Sequence, residues 1–207
     1  MGNNGVMDAR TVGEHALLVT CADADEVAAT YAVLRARVAL LGAVEVVPAA
    51  RTVLLDGLAD PYAVRDLIAG WVAEPVPGAA YSGAVEIPTI YDGEDLAEVA
   101  RQWSTTTGEV VRIHQGCTFV VAFCGFAPGF AYCTGLPDGL TVRRRDDPRA
   151  RVAPGSVALA GEYTAVYPTA SPGGWQLIGR SAVPLWVPER EQPALLSPGT
   201  SVRFVDA

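Results

Sequence analysis

The sequence predicts an α+β chain in two parts, a small α/β domain followed by a mostly β domain. Three observations predict it. The first third of the chain alternates strand-like and helix-like runs in the order β-α-β-β-α. The stretch Glu74–Gly83 (EPVPGAAYSG) is crowded with proline, glycine and alanine, the punctuation of a domain boundary. After Gly116 the helix signals give way to short β-rich runs separated by turn residues, as in a barrel or sandwich. The expected domains are residues 1–80 and 84–207.

Each element has its own reason. His15 to Cys21 is a short β-rich run. Asp23 and Glu26 have capping-box spacing and open a helix with Val27, Tyr31, Leu34, Val38 and Leu41 at helical intervals, stopped by Gly42. Val44–Val47 and Thr52–Leu55 are two strands. Asp60-Pro61 starts a second helix, whose buried face is predicted as Val64, Leu67, Ile68, Trp71 and Val72. One more strand after it would complete a split β-α-β unit of ferredoxin type. In the second part Val85–Tyr91 is a strand. Asp92 caps a helix carrying Leu96, Val99, Ala100 and Trp103, and Thr107 caps another carrying Val110, Val111 and His114. The β-runs that follow are Cys117–Cys124, Ser156–Ala160, Tyr163–Tyr167, Trp175–Ile178, Val183–Val187 and Ser201–Val205.

Composition excludes several functions. The net charge is −8, so a nucleic-acid partner is not expected. The most apolar stretch, Thr118–Cys133, is broken by Gly125, Pro128 and Gly129, so no membrane span is expected, and MGNNGVMDAR lacks the apolar core of a signal peptide. A cytoplasmic location follows. Cys21, Cys117, Cys124 and Cys133 form no CxxC pair and read as small buried hydrophobes, so no metal site is expected. All fifteen basic residues are arginine. Without lysine the chain can carry no biotin, no Schiff base and no P-loop lysine.

Three clusters in the second domain carry candidate chemistry. In the first, Phe126, Pro128, Gly129, Phe130 and Tyr132 interleave aromatics with turn residues, which suits either a pocket wall or a turn with core aromatics. The second places five arginines between Arg143 and Arg151, with Arg144 and Arg149 as candidates for gripping an anion; the alternative is a solvated loop paired with Asp146 and Asp147. The third is Ser171-Pro-Gly-Gly-Trp175, where Gly173 and Gly174 can present backbone N–H groups at a barrel mouth, Trp175 sits on the departing strand, and Arg180 adds a charge. Glu162 and Tyr163 belong to a similar turn. His114 reads either as a general base, with Arg180 as its catalytic companion, or as a locally paired helix residue.

Taken in order, GFAPGFAYCTGLP, then RxxDPRxRVAPGSVALAG, then TAVYPTASPGGWQLIGRS resemble the KipI family, also called allophanate hydrolase subunit 1 or carboxyltransferase subdomain C/D. The family includes the B component of the bacterial ATP-dependent 5-oxoprolinase, and the likeness runs from DARTVGEHALLV to SPGTSVRFV. It implies a ferredoxin-like N-terminal domain and a cyclophilin-like β-barrel. It also implies ATP-driven opening of the 5-oxoproline lactam to glutamate. The partners implied are a C-type subunit (carboxyltransferase subdomain A/B, PxpC-like) and an A-type component (PxpA- or LamB-like). A lactam carbonyl is a poor electrophile, and phosphorylating its oxygen would activate it. This chain has arginines and backbone N–H groups suited to developing negative charge but no recognisable nucleotide loop, so the ATP that the resemblance implies is expected at a site either shared with a partner or of unorthodox form. Two other activities come with the resemblance: a KipI-like regulator of a histidine kinase, and a carboxyltransferase half-domain as in urea amidolyases. The chain departs from the family pattern at Tyr163, where glutamine is usual, at Ala165, where glycine is usual, at Cys133, and in the order Val152-Ala-Pro-Gly-Ser156.

Overall fold

The computed structural model describes residues 7–72 and 84–207. The chain divides into two compact units, Met1–Ala80 and Tyr81–Ala207. The proline-rich stretch 74–83 lies outside the described residues.

The first unit is built from β1 (Asp8–Val12), β2 (Ala16–Thr20), α1 (Ala24–Ala36), α2 (Val38–Leu41), β3 (Glu45–Pro48), β4 (Thr52–Asp56) and α3 (Pro61–Ile68). The capping residues act as their chemistry dictates. Asp23 accepts from the Glu26 N–H at 2.9 Å, and the Glu26 carboxylate accepts from the Ala22 N–H at 2.6 Å. Asp60 accepts from both Tyr62 and Ala63. The single helix read from Val27 to Leu41 is two helices, broken at Arg37. The sheet is antiparallel in the order β1-β2-β4-β3. Its outer strand beside β2 therefore comes from the front of the chain, rather than from after α3 as a split β-α-β unit would have it. DARTV alternates half-buried and exposed residues and buries none, so it carries no strong apolar signal. Leu17, Val19, Leu34, Val53, Leu55 and Ile68 form the core. Leu67 and Val72, read as buried, are exposed.

The second unit contains β5 (Val85–Thr89), α4 (Leu96–Gln102), α5 (Thr107–Gly116), β6 (Phe119–Cys124), β7 (Ala131–Thr134), β8 (Arg149–Val152), β9 (Ser156–Ala160), β10 (Tyr163–Val166), β11 (Ser171–Gly173), β12 (Gln176–Arg180) and β13 (Ser201–Asp206). Seven strands make one sheet in the order β12-β9-β10-β7-β6-β13-β5. Just beyond β5, Ile90 exchanges two 2.9 Å backbone hydrogen bonds with Arg180 of β12, so the sheet curls almost into a closed barrel. The seam needs Gly179, because a Cβ there would stand 2.5 Å from the Ile90 carbonyl oxygen. Val99, Ala100 and Val110 of the helices pack with Phe119, Leu159, Ile178 and Phe204 to fill the interior.

Several element readings change. Val183–Val187 is not a strand; within it only Trp186 makes an isolated bridge, to Ala194. The caps of α4 and α5 are Asp95 and Thr106. Asp92 instead accepts from Arg180 Nε at 2.8 Å. Strand β7 was hidden in the aromatic cluster. Strands β8 and β11, too short to read as β-runs, pair with each other.

Candidate functional site

The β8–β11 ribbon joins the second sequence cluster to the third, with Val152 opposite Ser171 and Arg149 opposite Gly173. Two further hydrogen bonds hold the arginine segment against the start of β12. Arg145 N–H donates to the Gly174 carbonyl at 2.8 Å, and Gln176 Nε2 donates to the Arg143 carbonyl at 3.0 Å. The end of α4 grips the same segment: Gln102 Oε1 accepts from Arg143 N–H, and the indole N–H of Trp103 donates to the Thr141 carbonyl.

Asp95 organises the cations. Only 5% exposed, it accepts from Arg145 Nη1 at 3.1 Å, from Arg149 Nη2 at 2.9 Å and from the Leu177 N–H at 2.7 Å. Arg149 also reaches Glu94, and its charged form is reinforced first of all by the Asp95 hydrogen bond. The arginine run thus splits by function. Arg145 and Arg149 are bound inward to carboxylates, and Arg143 lies 3.8 Å from the exposed Asp146. Arg144 has no ion pair among the described residues; its guanidinium lies over the Trp175 ring, 5.9 Å from the centroid. A half-open groove of about 420 Å³ runs between α4 and residues 143–147, walled by Asp95, Glu98, Gln102 and Gln176.

Trp175 belongs to an aromatic layer on the outer face of the sheet. Phe130 meets Trp175 and Tyr167 edge-on at 5.5 and 5.3 Å, and Tyr132 lies 5.5 Å from Trp175 and 5.8 Å from Tyr163. A bulge in β6 between Val121 and Phe123 sets Phe123 opposite Tyr132, where the rings stack at 4.4 Å. Burial pushes Tyr163 up to about 12, helped by Glu162; burial also raises Tyr132, against the pull of Arg144. These phenols stay protonated at neutral pH and can donate. Gly173 is required here, since a Cβ would overlap the Tyr167 hydroxyl. At the edge of the layer Phe126 is exposed and holds φ +71°, a backbone state costly for a bulky side chain.

The structure therefore gathers Phe126, Phe130, Tyr132, Arg144, Tyr163 and Trp175, and ties Arg149, Ser171, Gly173 and Gly174 to them through the ribbon. Pro128 and Gly129 shape the turn into β7, and Glu162 is exposed at the turn before β10. The two residues read as catalytic stand elsewhere. Arg180 is at the seam, paired with Asp92. His114 is wholly buried in the barrel, its Nδ1 2.8 Å from the Tyr91 hydroxyl and its Nε2 2.9 Å from Thr164 Oγ1. Burial drives its pKa down to about 3. It is a neutral core residue whose partners lie 23 and 50 positions away, so the local pairing read as the alternative is not what holds it. Asp95 and Gln176 were missed. Asp95 lay in a segment read for its helix start, and Gln176 in an apolar run. A signal for Asp95 did exist: a carboxylate four residues before Val99, on a helix with a buried face, needs cations nearby.

Among the described residues no group of three or more His, Cys, Asp or Glu is placed to hold a metal, and no helix is long and apolar enough to cross a membrane. Residues 7–196 match the family described as carboxyltransferase domain, subdomain C and D. The B component of the Escherichia coli O157:H7 5-oxoprolinase is 48% identical over 124 residues, which are 58% of this chain and 57% of that protein. The matched part thus spans little more than half of that relative. The crystal structure of TTHA0988 superposes with a TM-score of 0.76 at 35% identity, over 97% of this chain and 41% of that one. The Kluyveromyces lactis urea amidolyase matches at TM-score 0.76 and 18% identity, over all of this chain and 15% of that protein, a likeness of fold alone.

Proposed function

Because the chain belongs to the family of carboxyltransferase subdomains C and D, we propose that it is a cytoplasmic subunit of a 5-oxoprolinase-type hydrolase acting on a small cyclic amide acid. The observation that carries this reading is Arg144, a guanidinium with no ion pair among the described residues, set between an aromatic layer and a polar groove. A guanidinium of this kind takes a carboxylate in bidentate fashion. The substrate class comes from relatives named as the B component of 5-oxoprolinase.

The groove does not fit a triphosphate. Arg145 is committed to Asp95 and Arg101 to Glu98, and Asp146 and Asp147 line the same walls. A polyphosphate would meet carboxylates there. In this reading ATP is held by the C-type and A-type partners, and this chain orients the acid and supplies donors toward the carbonyl oxygen.

Reconstitution with those two partners tests the reading. Glutamate release from 5-oxoproline should require all three proteins and ATP, and Arg144→Ala should abolish it. Release at the full rate by the partners alone would overturn it.

A further inference from the structure

The aromatic layer holds three phenols, Tyr132, Tyr163 and Tyr167, and they differ in what surrounds the hydroxyl. That of Tyr167 lies against Gly173 of the ribbon, in a residue only 2% exposed. That of Tyr163 has the Glu162 carboxylate beside it. Tyr132 is different. Its neighbours Ala131 and Cys133 pack into the barrel interior, so the two-residue period of β7 turns Tyr132 outward, onto the face that carries Phe130 and Trp175. Among the described residues its hydroxyl has no hydrogen-bond partner, and it is not one of the side-chain atoms sealed from solvent without one. It therefore reaches solvent, from a residue that is otherwise half-buried.

Arg144 stands over the same surface. Its guanidinium lies 5.9 Å from the Trp175 centroid, and the Trp175 ring lies 5.5 Å from that of Tyr132. Arg144 is exposed, and its charge pulls the Tyr132 phenol down against the larger effect of burial, as a cation near the hydroxyl does. A guanidinium offers donors only. A protonated phenol beside it turns its oxygen toward the cation and its proton outward, so the two groups ask for one anionic acceptor.

We infer that Tyr132 is a specificity-determining residue whose hydroxyl donates to the ligand carboxylate gripped by Arg144. The inference rests on the function proposed above and adds the second donor that recognises the acid. A carboxylate is charged and accepts on both oxygens. A primary carboxamide of the same shape has one neutral acceptor oxygen and turns an NH₂ group toward one of the two donors.

Titration calorimetry on the full chain, alone and in the reconstituted complex, tests this with 5-oxoproline and its primary amide. Wild type should bind the acid at least about 10-fold tighter than the amide. Tyr132→Phe keeps the ring and removes only the hydroxyl, so the urea midpoint should stay as in wild type. It should weaken the acid roughly 10- to 100-fold and the amide by no more than about fivefold. Phe123→Leu disturbs the ring stacked 4.4 Å from Tyr132 but keeps the hydroxyl, so the preference for the acid should survive. A preference lost equally in both variants would assign the effect to ring packing and overturn the inference. Unchanged acid binding in Tyr132→Phe, equal losses for acid and amide, or no binding of either by wild type would also overturn it. Turnover by the complex is scored separately. Turnover with acid binding that Tyr132→Phe leaves untouched sinks Tyr132 alone. A preference lost in Tyr132→Phe, with no turnover by the wild-type complex, sinks the hydrolase reading alone.

Discussion

Inside the barrel, the polar groups around His114 are all partnered. Thr164 gives its hydroxyl proton to the Ala158 carbonyl, so it accepts from His114 Nε2, and Nδ1 then accepts from the Tyr91 hydroxyl. Phe119 and Phe204 pack on the ring. At the groove and ribbon, three buried atoms have no partner among the described residues: Gln176 Oε1, Arg149 Nη1 and Ser171 Oγ. Each such atom costs on the order of 1–3 kcal/mol. Folding alone would remove that cost, as it does in the interior. The contrast separates polar residues that complete the core from polar residues held for something the chain itself lacks.

The largest expected effect tests the scaffold between the two regions. Asp95→Ala removes the buried carboxylate shared by two guanidinium groups and the Leu177 N–H, leaving Arg149 only the exposed Glu94. Breaking a buried pair from one side costs about 3–5 kcal/mol, read from the shift in the urea midpoint. A loss below about 1 kcal/mol would mean that water satisfies these groups, and the contrast with the interior would collapse.

The next effect is a pH dependence that belongs to the interior. The folded pKa of His114 is depressed to about 3 from 6.5. The unfolded chain binds a proton below 6.5 and the folded chain does not until about 3, so stability is full above 6.5 and falls with pH within that window. The slope is about 1.4 kcal/mol per pH unit, or about 2 kcal/mol between pH 6.5 and about pH 5. Urea titrations across this range should show the slope in wild type and lose that share of it in His114→Gln. Equal slopes would mean that the ring is solvated, against its complete burial.

What could be read in advance follows the same division. The helices of the first unit announce themselves because Asp23 and Asp60 are local signals, and the barrel strands because Ser156–Ala160 and Ser201–Val205 are apolar runs. The aromatic layer was visible as residues, since Phe130, Tyr132 and Trp175 fall in Gly- and Pro-punctuated motifs. Strand β1 and the Ile90–Arg180 seam were hidden because their pairing partners are set by tertiary closure. The division of labour among the arginines was hidden for a related reason. Arg144 and Arg145 are adjacent in sequence, and their different fates depend on a carboxylate some fifty residues earlier. Likewise nothing in WQLI says that one oxygen of Gln176 will be left without a donor.

The smallest expected change in stability is at Arg144, and its smallness is the point. An exposed cation over an aromatic ring contributes on the order of 0.5–1 kcal/mol. Arg144→Ala should therefore leave the urea midpoint within that range of wild type. Arg145→Ala, which removes one of the two guanidinium groups paired with the buried Asp95, should cost more. Binding should rank them the other way, with the small acid lost in Arg144→Ala and weakened less in Arg145→Ala, where Arg149 still holds Asp95. Arg144→Lys sharpens the comparison further. It keeps the charge but not the planar fork, so it should bind weakly if the carboxylate is gripped by two parallel hydrogen bonds, and as wild type if charge alone suffices. If instead Arg144→Ala destabilised the fold as much as Asp95→Ala, Arg144 would belong to the scaffold, and the groove would have no cation left to offer a ligand.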